Sequence, residues 1–166
     1  MIDRYILGVT GSMGCGKSYA CNKLVEIGQN KGITVMHIDF DKIRRAEKQP
    51  YQALTDILKQ SQGLILMEWA LLVEDRLLSQ VDNNVLLVTS DYKTQLNRLI
   101  YGDLPDTEVI RRINSQLSNQ EKEKQIRLIQ QQSGVGRLYV FDSTHNPKDM
   151  HYADLLEQIL TGMNHE

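Results

Sequence analysis

The stretch GVTGSMGCGKSYA, residues 8–20, decides the fold, because it places four glycines shortly before a lysine. Glycine loses more conformational freedom on folding than any other residue, so such a cluster needs a physical reason. Residues 11–18, GSMGCGKS, fit the G-x-x-x-x-G-K-[ST] pattern of a phosphate-binding loop. Glycine lets successive backbone N–H groups turn toward phosphate oxygens, and the helix that follows adds its positive N-terminal end. The stretch therefore predicts a nucleotide site between an apolar strand and a helix.

This loop predicts ATP and Mg²⁺ as cofactors. Lys17 is expected to reach the β- and γ-phosphates, and Ser18 is expected to hold Mg²⁺. Cys15 lies near the helix N-terminus, which favours a thiolate. A redox-sensitive loop is one interpretation of Cys15, and a simple requirement for a small side chain is the other. The predicted nucleotide contacts are Gly11, Ser12, Met13, Gly14, Cys15, Gly16, Lys17, Ser18 and Tyr19.

Bulk composition limits the function classes. The chain has 166 residues, of which 41% are hydrophobic and 24% are charged, as expected for one globular domain, residues 1–166. Its net charge of −2 provides no basic field, so nucleic acid is not expected as a partner. No apolar run suits a signal peptide or a membrane span, so we expect a cytoplasmic protein that binds no membrane. The spacing of Cys15 and Cys21 fits neither a redox pair nor a zinc site. No pattern indicates an oligomeric state.

Apolar runs alternate with amphipathic segments along the chain. Strands are predicted at 4–9, 32–38, 63–68, 84–89 and 137–141, and helices at 16–31, 41–62 with a break near Pro50, 70–80, 91–101 and 147–161. The alternation predicts an α/β fold with a three-layer, doubly wound, five-stranded parallel sheet. Together with the phosphate loop, the alternation predicts a fold of the P-loop NTPase or nucleoside monophosphate kinase type. The polar stretch 102–136 is interpreted as a helical hairpin that forms a lid, and a solvated excursion without a catalytic part is the alternative.

Carboxylates follow the second and third predicted strands. Asp39 and Asp41 would share one face of an extended strand, and at its carboxyl end that face borders the ligand crevice. A carboxylate there can accept the proton of an attacking hydroxyl or help to place Mg²⁺. The alternative role of Asp41 is to cap the following helix. Glu68, at the end of the third strand, is expected to orient Mg²⁺ through water, and Glu74 is a weaker candidate.

The segment 41–62 would form the acceptor side of the site. Arg44 and Arg45 are expected on the first turns of its helix, where they could bind an acceptor phosphate or form surface salt bridges. Trp69, the only tryptophan, is expected in core or lid packing rather than in base stacking.

The chain resembles the dephospho-coenzyme A kinases in several stretches that occur in the same order. They are LGVTGSMGCGKS (7–18), HIDFDKIRR (37–45), TQLNRLI (94–100), RRINSQLSNQEK (111–122) and YVFDS (139–143). The resemblance implies a P-loop kinase that transfers the γ-phosphoryl of ATP to the ribose 3′-hydroxyl of dephospho-coenzyme A. It implies that Asp39 is the general base, that Arg112 and Gln116 belong to a lid helix, and that Asp142, Ser143 and Thr144 border the adenine. Acceptor contacts would then be Asp39, Arg45, Glu68 and Gln116.

The sequence also departs from the family. The segment between the second and third strands is shorter, Glu68 replaces an aspartate, and Ser143 replaces an asparagine. Tyr101, Gly102 and Asp103 replace an arginine-aspartate-glycine run, and residues 125–136 are an insertion. These changes leave the nucleotide half intact and keep two alternatives open: a P-loop kinase for a smaller acceptor, such as a nucleoside or nucleotide, and a non-catalytic ATP-binding module. Arg112 is the first candidate to close over the transferring phosphoryl; the others are Arg111, Arg127 and Arg137.

Overall fold

The computed structural model describes residues 4–165, and its centre is a five-stranded sheet in which every strand is parallel to its neighbours. The strands are β1 (Arg4–Thr10), β2 (Val35–Asp39), β3 (Gly63–Glu68), β4 (Val85–Thr89) and β5 (Leu138–Asp142). Their spatial order is β2-β3-β1-β4-β5. The predicted parallel α/β sheet is therefore confirmed, with each strand within a few residues of its expected place.

Seven α-helices in the described residues surround the sheet. They are α1 (Lys17–Asn30), α2 (Phe40–Ala46), α3 (Pro50–Lys59), α4 (Tyr92–Ile100), α5 (Asp106–Ser115), α6 (Asn119–Ser133) and α7 (Asp149–Met163). Pro50 begins α3, which explains the expected break, because proline lacks the N–H that a helix interior needs. No helix within residues 4–165 is both long enough and apolar enough to cross a membrane.

The prediction of a helix over residues 70–80 is wrong. Residues 70–76 form turns, and only a short 3₁₀ helix, Leu78–Val81, follows. Arg76 adopts a left-handed backbone with φ of 58°, which interrupts any regular helix. The apolar residues that suggested a helix, among them Leu72 and Val73, are buried in the core from this turn-rich segment instead.

Alternate residues of the central strands face two separate cores. In β1, Leu7 and Val9 pack with helices α1 and α7, whereas Ile6 packs on the opposite face. The second core also contains Leu54 of α3 and Ile126 of α6. Helices therefore cover both faces of the sheet. The expected hairpin exists as α5 and α6, but α6 is part of the covering layer, because Ile126 is fully buried against the sheet.

The chain winds first toward one edge of the sheet and then toward the other. After β1 it reaches the edge strand β2, returns to β3 and then crosses to β4 and β5 on the far side of β1. In open α/β sheets, ligands bind outside the carboxyl ends of the strands at such a reversal. The glycine-rich loop, Gly11–Ser18, follows β1 at this point.

Candidate functional site

The glycine-rich loop has a backbone that only glycine accommodates at its start. Gly11 has φ of +147°, and a Cβ built there would lie 2.1 Å from the carbonyl oxygen of Val88. At the other end, Gly16 is the N-cap of α1 in a left-handed conformation, and no side chain caps the helix. The first N–H groups of a helix have no partner inside it, so α1 presents uncapped donors and the positive end of its dipole. This arrangement can bind an anion such as a phosphate.

Lys17 curls back over the same loop. Its Nζ donates to the carbonyl oxygens of Gly11, at 3.0 Å, and Ser12, at 3.1 Å. Burial lowers the pKa of Lys17, and the negative charge of Glu68 opposes that shift. Because both acceptors are neutral carbonyls, a phosphate would provide a stronger partner for this ammonium.

Ser18 and Glu68 form the second part of the site. The Ser18 hydroxyl donates to Glu68 Oε1 at 2.6 Å, and His37 Nε2 lies 2.8 Å from Glu68 Oε2. Burial alone would raise the pKa of Glu68, but the hydrogen bonds from His37 and Ser18 bring the net pKa below its ordinary value. The carboxylate is therefore ionised at neutral pH. A hydroxyl and a carboxylate are hard oxygen ligands, so the pair fits Mg²⁺.

Asp39 lies next to Glu68 across the β2–β3 register. Its Oδ1 accepts a hydrogen bond from the Lys42 backbone N–H at 2.9 Å, so Asp39 is the N-cap of α2. The capping role, which the sequence offered as the alternative role of Asp41, therefore belongs to Asp39, and that alternative is wrong. It is also wrong that both carboxylates share an extended strand, because β2 ends at Asp39 and Asp41 lies in the first turn of α2.

Asp41 instead joins two segments. Its Oδ2 accepts a hydrogen bond from the Ala70 backbone N–H at 3.0 Å, and burial raises its pKa. Arg44 and Arg45 lie in the last turn of α2, not in its first turns as expected. Arg44 donates to Asp75 Oδ2 at 2.8 Å, which supports its salt-bridge interpretation, and Arg45 is exposed.

Aromatic packing fixes helices α2 and α3, which the sequence predicted as the acceptor side. Trp69 follows Glu68, is fully buried and donates through Nε1 to Asp75 at 2.9 Å, which confirms that it belongs to the core. Its ring centroid lies 4.2 Å from that of Phe40, the first residue of α2, and 6.2 Å from that of Tyr51 in α3. The two short helices are therefore held against the end of β3.

The turn between α5 and α6 lies directly on the glycine-rich loop. Gln116 Oε1 accepts a hydrogen bond from the Met13 backbone N–H at 3.0 Å. Asn119 Oδ1 accepts from the Ser12 backbone N–H at 3.0 Å, and its amide nitrogen donates to the Cys15 sulfur at 3.3 Å. The structure thus brings the predicted Gln116 to the loop. It adds Asn119, which the sequence argument did not single out although it lies within a quoted stretch.

A buried ion pair fixes that turn. Lys122 has no exposed surface, and its Nζ donates to both carboxylate oxygens of Glu74, at 2.7 and 2.8 Å, and to the Ala70 carbonyl at 3.0 Å. Glu74 also accepts from the Leu117 backbone N–H at 3.0 Å. Glu74, the weaker metal candidate, is therefore joined to α6 through both of its carboxylate oxygens.

The candidate lid arginines make their contacts elsewhere. Arg111 and Arg112 both donate to Glu108 of their own helix, and together they lower the pKa of Glu108 to about 2. Arg127 pairs with Glu123 of α6. Hydrogen bonds of Arg112 therefore stay within α5, and the structure does not bring this side chain into hydrogen-bond contact with the glycine-rich loop.

A cavity of about 400 Å³ opens beside the N-terminus of α1. It is lined by Gly16, Tyr19, Arg98, Ser143, Asn146, Pro147 and Tyr152. Arg98 donates to the Gly14 carbonyl at 3.1 Å and to the Ser143 carbonyl at 2.6 Å, while the Ser143 hydroxyl donates to the Cys15 carbonyl at 2.6 Å. The predicted Tyr19 and Ser143 thus line one cavity next to the loop. Arg98 was missed, although the stretch 94–100 contains it.

The other two predicted residues of this region lie at the end of β5 and just beyond it. Asp142 is the last residue of β5 and is exposed. Its Oδ1 accepts from both the backbone N–H and the hydroxyl of Thr144, at 2.9 and 2.6 Å. Thr144 in turn accepts from the Asp91 backbone N–H at 3.0 Å, which ties this loop to the start of α4.

Comparisons with known proteins support the fold but say nothing about the chemistry of the site. No protein-family model and no curated protein matches the chain. Among solved structures, TT1252 from Thermus thermophilus superposes with a TM-score of 0.62 at 19% identity, over 97% of this chain and 96% of that one. An uncharacterized protein from Eubacterium ventriosum superposes with a TM-score of 0.53 at 9% identity, over 98% and 99%. The class is an α/β fold with a parallel five-stranded sheet and flanking helices, consistent with a P-loop type.

Proposed function

We propose that this chain is a P-loop, ATP-dependent phosphotransferase, with dephospho-coenzyme A as the first candidate acceptor. The observation that carries the proposal is the Ser18 hydroxyl, 2.6 Å from the Glu68 carboxylate, at the uncapped N-terminus of a helix. The helix end and Lys17 favour a phosphate chain, and the hydroxyl–carboxylate pair favours the divalent cation that accompanies it. Anion and cation sites of this kind, side by side, are what a nucleoside triphosphate requires.

The residues divide into three roles. Ser18 and Glu68 would hold Mg²⁺, which neutralises charge on the phosphates when it is bound. The uncapped N–H groups at the start of α1 and Lys17 would hold the phosphates, because the Ser12 and Met13 N–H groups already donate to Asn119 and Gln116. The cavity beside Gly16 would take the base. Arg98, already anchored on the loop, would form part of the base-side wall.

Asp39 is the proposed general base. Its Oδ1 caps α2, which leaves Oδ2 for a hydroxyl of the acceptor. In the proposed reaction, the acceptor oxygen forms a bond to the γ-phosphorus and gives its proton to Asp39. The bond from the γ-phosphorus to the bridging oxygen breaks, and ADP leaves. Such proton transfer contributes roughly 10²–10⁴-fold to a rate.

A smaller acceptor is the second candidate, and one observation favours it. Between β2 and β3 the chain supplies only α2 and α3, of seven and ten residues. The dephospho-coenzyme A kinases that the sequence resembles use a longer segment there. A nucleoside or nucleotide would need less surface from these two helices.

The test is ADP release from Mg·ATP, alone and with dephospho-coenzyme A, nucleosides or nucleoside monophosphates. Asp39→Asn is the informative variant, because asparagine caps helices as well as aspartate does and the fold is kept. We expect it to lower the acceptor-dependent rate by about 10²–10⁴-fold and to leave ATP binding unchanged. Asp56→Asn, an exposed carboxylate of α3, is the matched control.

Each outcome has a definite meaning. Stimulation by dephospho-coenzyme A supports the first candidate, and stimulation only by a smaller acceptor supports the second. ATP binding without stimulation by any acceptor would replace both with a non-catalytic ATP-binding module. Unchanged turnover in Asp39→Asn would refute the role of Asp39 as the base.

A further inference from the structure

A thiol, an imidazole and a carboxylate meet behind the glycine-rich loop. The Cys21 sulfur, a ring nitrogen of His37 and a carboxylate oxygen of Glu68 all lie within 4.8 Å of one another. They come from three different elements, because Cys21 is on α1, His37 is on β2 and Glu68 ends β3. Cys21 is fully buried, Glu68 is 6% exposed, and the His37 side chain is 20% exposed.

We propose that this cluster binds a thiophilic divalent cation, of which Zn²⁺ is the type, through Cys21, His37 and Glu68. The donor set of one sulfur, one imidazole nitrogen and one carboxylate oxygen is the chemistry of zinc and its neighbours. Mg²⁺ prefers oxygen ligands, so the thiol and the imidazole do not suit it. The proposed site therefore differs in chemistry from the Ser18–Glu68 pair, although both use Glu68.

The geometry needs only small side-chain shifts. A tetrahedral ion with bonds of about 2.0–2.3 Å holds its ligand atoms roughly 3.3–3.6 Å apart. The His37–Glu68 separation of 2.8 Å must open slightly, and the Cys21 sulfur must close in from at most 4.8 Å. Both changes are of the order of 1 Å. As the metal–sulfur bond forms, Cys21 releases its thiol proton to solvent, and a water completes the fourth position.

A shared carboxylate makes the two cation sites compete. An ion held by Cys21 and His37 draws Glu68 away from Ser18, so Zn²⁺ is expected to inhibit phosphoryl transfer. This consequence rests on the proposed function, whereas the binding itself does not. The two ideas can therefore fail separately.

The binding test uses Co²⁺ as a spectroscopic substitute for Zn²⁺ on the untagged, full-length protein without nucleotide. Cobalt bound to a thiolate gives an intense near-ultraviolet charge-transfer band that oxygen and nitrogen ligands do not produce. We expect this band at one equivalent of Co²⁺ and its loss on addition of Zn²⁺. Cys21→Ser is expected to abolish it. Cys15→Ser is the matched control, because Cys15 is also free and buried but lies outside the cluster.

A second variant protects the test against misfolding of Cys21→Ser. His37→Ala removes a partly exposed ligand and is expected to weaken Co²⁺ binding by more than about tenfold, since loss of even an outer-shell partner costs that much. His151→Ala, an exposed histidine of α7, serves as its control. No band in the wild type, a band that survives Cys21→Ser, or equal loss in Cys15→Ser would overturn the proposal. A normal kinase reaction without a Co²⁺ band would overturn this site alone.

Discussion

Glu74→Ala is expected to destabilise the fold strongly. It removes the carboxylate that receives two hydrogen bonds from Lys122 and one from the Leu117 backbone N–H. Lys122 has no exposed surface, so after the substitution its ammonium keeps only the Ala70 carbonyl as an acceptor. A buried charge left without its counter-ion is among the strongest causes of destabilisation.

The magnitude follows from the burial of the two partners. Breaking a buried ion pair by removing one member costs about 3–5 kcal/mol. For a chain of this size each kcal/mol lowers Tm by about 2–4 °C, so a fall of about 6–20 °C is expected. Lys122→Met should cost less, because Glu74 is 20% exposed and keeps the Leu117 N–H. The structure thus predicts that Glu74→Ala lowers the free energy of unfolding more than Lys122→Met does.

Urea unfolding followed by circular dichroism measures both effects. The control is Glu123→Ala, which breaks an exposed helical pair with Arg127 and should cost only about 0.5 kcal/mol. The double variant Glu74→Leu with Lys122→Met should be less destabilised than Glu74→Ala alone, because no charge remains buried. Equal costs for the two single variants, or a Glu74→Ala cost as small as that of the control, would refute this account of the pair.

Three further variants have expected outcomes. Gly11→Ala should destabilise the fold by about 2–5 kcal/mol in urea, because its Cβ would overlap the Val88 carbonyl at a φ of +147°, and a cost below 1 kcal/mol would contradict the loop geometry. His37→Ala should raise the pKa of Glu68, because the His37 hydrogen bond is one of the contacts that lower it, as measured by carbon NMR of the carboxyl. Because that depressed pKa supplies stability that is lost as pH falls below about 4.5, the variant should lose less stability in this acidic range than the wild type. Arg98→Ala is expected to weaken ATP binding by more than a loss of stability, followed by Tm, would explain. An ATP affinity equal to that of the wild type in a nucleotide titration would exclude Arg98 from the base-side wall.

Much of the fold follows from local patterns in the chain. Apolar runs located all five strands, since runs buried on both faces stand out from amphipathic helices. The order β2-β3-β1-β4-β5 is set by long-range pairing, which such runs do not encode. The false helix over 70–80 shows the limit of periodicity, because buried residues such as Leu72 can reach the core from turns as well as from a helix.

The part of the candidate site that lies in one continuous sequence motif was predictable. Residues 11–18 formed the expected loop, and Glu68 reached Ser18 because neighbouring parallel strands end at the same edge. The burial of Lys122 could not be predicted in this way, since the sequence does not distinguish a buried lysine from an exposed one. The Cys21 cluster was likewise invisible, because spacing rules for metal sites assume ligands close together in the chain.

The position of the only tryptophan makes its fluorescence informative. Trp69 follows Glu68 directly, and its ring packs on Phe40 at the start of α2 and near Tyr51 of α3. Its indole emission is therefore expected to report on α2 and α3, the two helices of the proposed acceptor side, without any added label. A molecule that shifts α2 or α3 should change this emission, whereas one that occupies only the cavity beside Gly16 should leave it constant. Under the proposed function, Trp69 would thus distinguish the binding of an acceptor from the binding of a nucleotide.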